Sequence, residues 1–179
     1  MKRLIQIATT LLLVTGLAMP VSLLAQDKDA KLIDDNKEAK SSFVKADSLM
    51  QSLFDNSSGY VIFPNVGKGA MGVGGAAGNG ILYEHGNSVG RASMKQVSVG
   101  FQFGGQAYRE VIFFENADAL ERFKQNKIEF TARASAVAAT EGAAANVKYA
   151  NGVMVFTQEK GGLMYEASIG GQKFNYTPF

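Results

Sequence analysis

At Gly59 the hydrophobic pattern of the chain changes its period, and only one later stretch returns to the earlier one. Upstream, Ala39, Phe43, Ala46, Met50 and Leu53 recur at spacings of three and four, with Lys40, Lys45, Asp47 and Gln51 between them. That spacing places the apolar side chains on one face of a helix over 39–55, and Phe54 widens the face. Asn56-Ser57-Ser58-Gly59 supplies a stop, with Gly59 suited to a left-handed cap. Downstream the period is two. Tyr60-Val61-Ile62-Phe63 reads as a short buried strand ended by Pro64. Val97, Val99, Phe101 and Phe103 alternate with polar or small residues, as do Ile128 to Ala136 and Leu163 to Ile169. Alternation of this kind puts each apolar set on one face of a pleated sheet.

Further strands are expected at Ile81-Leu82-Tyr83, Tyr108–Glu115 and Val153–Thr157. Glu84-His85-Gly86-Asn87 and Lys160-Gly161-Gly162 carry hairpin turn chemistry between neighbouring strands. One helix interrupts the sheet. Asn116 is a good N-cap, Asp118 and Glu121 suit its positive end, Leu120 and Phe123 face inward, and Asn126 can close it. The expected class is α+β, dominated by β. It is a curved antiparallel sheet or barrel-like core with an N-terminal amphipathic helix and one internal helix. The 20 glycines show no collagen-like or solenoid period, so they serve turns, bulges and close backbone approach.

The N-terminus carries a different signal. Lys2 and Arg3 precede a largely apolar stretch from Leu4 to Leu24, and Ala25 comes directly before Gln26-Asp27-Lys28-Asp29. That is the layout of a secretory signal peptide over 1–25, followed by a polar lead-in over 26–38 and a single domain over 39–179. The expected location is therefore outside the cytoplasm: the periplasm, or an extracellular or outer-membrane-associated position. With no cysteine, the chain has no disulfide, thiolate metal site or lipidated cysteine. From Gln26 onward it carries 16 basic and 16 acidic residues, a balance that argues against nucleic acid as a partner.

Catalytic chemistry finds little to stand on. Gly72-Val73-Gly74-Gly75-Ala76-Ala77 matches a loose dinucleotide fingerprint, but turn and strand residues follow it where a helix N-terminus is required. Gly67-Lys68-Gly69 lacks the remainder of a P-loop. His85 is the only histidine and falls in a turn, and no serine stands in a nucleophile elbow. Glu110 and Glu115 point to opposite faces of one strand, poor geometry for an acid pair. The residues point to a non-enzymatic protein without a cofactor.

Three ordered stretches carry a resemblance. Gly59 to Gly80 has a short apolar strand ending in proline, then Lys68, then a run of glycines. Gly100 to Asn116 has a glycine–apolar–glycine–glutamine segment and an apolar strand. Val155 to Gly171 contains a lysine–glycine–glycine–leucine turn at Lys160. Together, over about 39–176, they resemble the Ysc84-like, or SYLF, domain. The resemblance implies binding to membrane lipid, with phosphoinositides and actin as partners of eukaryotic members; an export signal argues against actin here. It also implies head-group contacts for Lys68 and Lys160. The helix over 39–55 has two readings: Phe43 and Met50 plug the sheet, or Phe43, Lys45 and Met50 meet a membrane interface. The leading expectation is a protein of the cell envelope that binds lipid, another apolar ligand or a membrane surface. The alternatives are a small outer-membrane β-barrel and a periplasmic structural or protein-interaction module.

Overall fold

A computed structural model describes residues 21–68, 75–97, 107–130, 135–160 and 166–179. Helices α1 (Val21–Ala46) and α2 (Met50–Asn56) lead into strands β1 (Gly59–Lys68), β2 (Gly75–Glu84), β3 (Asn87–Val97) and β4 (Tyr108–Phe114). Then follow α3 (Ala117–Lys124), β5 (Ser135–Ala138), α4 (Ala143–Asn146), β6 (Val153–Glu159), β7 (Glu166–Ser168) and β8 (Gln172–Pro178). The strands form one sheet in the order β7-β5-β6-β4-β1-β2-β3-β8. Its pairs are antiparallel except β5 with β6, so the sheet is mixed, and among the described residues it does not close into a barrel.

Both faces of the central strands are buried, which explains the unbroken apolar run of β1. On one face Val61, Phe63, Ile112, Phe114 and Val155 form a core with Leu82, Met94 and Phe174, covered by Ala119, Leu120 and Phe123 of α3. On the other, Tyr60, Ile62, Val111, Phe113 and Phe156 pack against Ala39 and Phe43 of α1 and Met50 and Phe54 of α2. This second layer corrects the barrel alternative: the outer face that a membrane barrel turns to lipid is here covered by helices. None of the described helices is long and apolar enough to cross a membrane.

Several expectations change in detail. The helix expected over 39–55 is two helices, because the buried Asp47 side chain accepts from the backbone N–H of Leu49 at 3.0 Å and of Ala144 at 2.8 Å. A side chain that bonds the local backbone competes with helix continuation. The polar lead-in over 26–38 is part of α1, stapled by Lys31–Asp35 and Lys37–Asp34 pairs three or four residues apart. Strand β1 passes through Pro64 to Lys68, with its register shifting on both sides of that residue. A bulge accommodates a residue with no N–H to donate. The turn at His85-Gly86 forms as expected, with both residues at positive φ in a two-residue hairpin loop. The hairpin expected across Lys160-Gly161-Gly162 does not join neighbours, because β5 lies between β6 and β7. Residues 161–165 themselves fall outside the described residues, as do Val99, Phe101 and Phe103.

Gly59 is not a left-handed cap either; positive φ occurs among the described glycines at Gly86, Gly142, Gly152 and Gly171. Its lack of a side chain serves close approach, since a Cβ there would lie 2.8 Å from the Tyr83 carbonyl oxygen. The same need is sharper at Gly80, where a Cβ would meet the Ile62 carbonyl and, at 2.8 Å, the Phe63 ring. Gly80→Ala is expected to lower stability by about 1–3 kcal/mol. The readout is a lower urea midpoint at unchanged slope.

Candidate functional site

One end of the sheet gathers the chemistry. Lys68 is opposite Ala76, Gly75 is opposite Val97, Val66 is opposite Tyr108, and Tyr108 is opposite Glu159. The last described residues of β1, β3 and β6 and the first of β2 and β4 therefore meet there. Lys160 follows directly: its backbone N–H donates to Ala107 at 3.2 Å, and its ammonium reaches across β4 to the Asn65 side chain on β1. Lys68 and Lys160, far apart in sequence, thus share one end of the sheet. Lys95 of β3, exposed and opposite Ala77, adds a third cation that sequence reasoning did not single out. The same end presents Val97, 67% exposed.

Phe43 and Met50 are fully buried against the sheet, in the position of core plugs. Lys45 is exposed in the last turn of α1, close in sequence to Asp47 where α4 is held. These three do not make an exposed patch together.

Beneath the cationic end lies a buried polar cluster that the sequence reading missed. Tyr108, Glu110, Gln96, Gln172 and Thr157 are all buried. Glu110 is opposite Thr157 and Gln96 is opposite Gln172, so strands β3, β4, β6 and β8 contribute inward-facing polar groups. The Gln172 amide donates to Glu110 Oε2 at 2.9 Å and lies 3.4 Å from Gln96 Oε1. Tyr108 Oη donates to Gln96 Oε1 at 3.3 Å, and Gln96 Nε2 donates to the Gly170 carbonyl at 3.3 Å. Among the described residues, Glu110 Oε1 and Gln172 Oε1 have no partner.

Among the described residues, no cation pairs with Glu110. Burial pushes its carboxyl up to about 7, against the opposing pull of the Gln172 hydrogen bond. Burial and the adjacent Glu110 likewise push the Tyr108 phenol upward. A proton on Glu110 adds a donor to a cluster in which two acceptors lack one. The alternation expected around Val97 is inverted here: Gln96 faces the core and Val97 faces outward. Its hydrogen bonds to Gly170 and Tyr108 are what make burying that amide tolerable. Glu115, by contrast, is exposed beyond the end of β4, so the two glutamates do not cooperate.

The comparisons bear on this end of the molecule. A family model described as Ysc84, Las17-binding protein actin regulator, matches residues 95–176. Over residues 95–176 the chain matches the Ysc84-like, or SYLF, domain. The matched stretch begins at Lys95 and contains every member of the polar cluster and Lys160, while α1, α2 and Lys68 precede it. Beta cell expansion factor A of Aeromonas veronii is 29% identical over 125 residues, which is 68% of this chain and 47% of that relative. The chain thus spans about half the length of this curated relative.

Proposed function

We propose that this chain is a non-enzymatic, exported protein that docks on lipid surfaces through the end of its sheet marked by Lys68, Lys95 and Lys160. The observation that carries the reading is the convergence of these three lysine positions around an exposed valine. Cations beside apolar surface suit a membrane interface carrying anionic head groups. Export rests on the layout of residues 1–25, and the location in the cell envelope follows from it. The family's description as an actin regulator concerns other members; an exported chain would not meet actin.

Co-sedimentation with vesicles of neutral and of anionic lipid tests the reading. Each lysine near an anionic surface contributes about 1 kcal/mol, so Lys68→Ala with Lys160→Ala should weaken anionic-vesicle binding roughly 30-fold. Binding to neutral vesicles should change little. Equal binding of the double variant and the parent to anionic vesicles would remove these lysines from the interface. No binding of the parent to either lipid would sink the membrane reading.

A further inference from the structure

Helices cover sheets through apolar faces. The C-terminal half of α1 does so with Ala39 and Phe43, but residues 28–35 do not. Between residues 28–35 and strands β2, β3 and β8 lies a cleft of about 760 Å³. That volume falls within the usual range for small-molecule sites. Its floor is polar where a helix-covered face is ordinarily apolar. Asn79, Ser93 and Asn175 form one in-register row across three strands, and Thr177 follows along β8.

These four side chains offer amide and hydroxyl groups that both donate and accept. Among the described residues, none of the four side chains has a hydrogen-bond partner. The charges around them are largely paired: Arg91 with Asp29, and Lys31 with Asp35 at 3.1 Å. A strongly ionic ligand would have to displace one of those pairs or face a like charge. A neutral ligand with many hydroxyls would instead find donors and acceptors already exposed, with Leu32 available to its C–H surface.

We infer that the cleft between α1 and strands β2, β3 and β8 binds a neutral polyhydroxyl group, either a short saccharide or the sugar head group of a glycolipid. The site is separate from the lysine-bearing end and does not rest on membrane docking there. Isotope-labelled protein is titrated with maltose, cellobiose, lactose and N,N′-diacetylchitobiose, with vesicles carrying a neutral digalactosyl lipid, and with inositol hexakisphosphate as the anionic control. Binding by at least one neutral sugar source should move amide resonances of residues 28–35 and of β3 and β8. For a soluble sugar the expected Kd is of the order of 1 mM or tighter.

Asn79→Ala with Asn175→Ala should weaken that binding at least tenfold without changing the melting temperature appreciably, whereas Lys68→Ala with Lys160→Ala should leave the cleft response in place. Response to glycolipid alone identifies a head-group ligand, and response to a soluble sugar identifies a saccharide. The inference is overturned if no neutral sugar source moves these resonances. It is equally overturned if the asparagine variant binds as the parent does, or if inositol hexakisphosphate occupies the cleft in preference to every sugar.

Discussion

Replacing Phe43 and Met50 together by aspartate is expected to unfold the protein. Both side chains are fully buried between α1–α2 and the sheet, where Phe54 also meets Tyr60 and Phe113 edge-on at centroid distances of 4.8 and 4.9 Å. Truncating a buried Phe or Met costs about 2–5 kcal/mol, and an unpaired buried carboxylate adds several more. Two such changes approach or exceed the roughly 5–15 kcal/mol that holds a domain together. Far-ultraviolet circular dichroism and a lost cooperative melt would report the result. Phe43→Leu, which keeps the site apolar, should cost about 1 kcal/mol and leave vesicle binding unchanged. A double aspartate variant that stays folded and loses only lipid binding would instead place these residues in a membrane contact.

The second expected result concerns pH. The Glu110 carboxyl is pushed up from its ordinary value of 4.5 to about 7 because burial disfavours its charge. The folded form therefore binds a proton between those values that the unfolded chain has released. The sign follows: the contribution of neutral Glu110 is fully present below pH 4.5, declines as pH rises, and is gone above pH 7. Its size is about 3 kcal/mol, at roughly 1.4 kcal/mol for each pKa unit. Glu110→Gln should remove this slope and raise stability near pH 8 by up to that amount. Its new amide can also donate to Gln172 Oε1, which has no partner among the described residues. Paired urea titrations near pH 5 and pH 8 decide it. Equal pH dependence in the variant and the parent would show that Glu110 remains charged in the folded protein.

The family resemblance and the general class were legible because their signals are local. The period change at Gly59, the Asn116 cap, and the His85-Gly86 turn all act within a few residues, and the structure has each in place. The cap is explicit: Asn116 Oδ1 accepts from the Ala119 N–H at 2.9 Å. Strands β3 and β8 were much harder to see. Their inward faces carry Gly90, Ala92 and Gln96 in one and Gln172 in the other, residues that hardly register on a hydrophobicity pattern. The alternation is present, but beside Met94 and Phe174 its buried phase holds small and amide side chains. The polar cluster was hidden for the same reason, since nothing local distinguishes a glutamine that will be buried from one that will be solvated.

By itself the sequence determined the β-dominated class, the amphipathic helical segment before Gly59, the Asn116 cap and the His85-Gly86 turn, because these follow from periodicity and short-range chemistry. Tertiary structure alone decided which residues meet. It brought Lys68 and Lys160 to one end of the sheet and placed β5 between β6 and β7. It also turned Gln96 inward in place of Val97 and enclosed Glu110 with no paired cation among the described residues. The physical reason is that burial and hydrogen-bond satisfaction belong to contacts between distant strands. A polar side chain becomes buried only where partners from other strands can receive it, and that depends on register across the whole sheet.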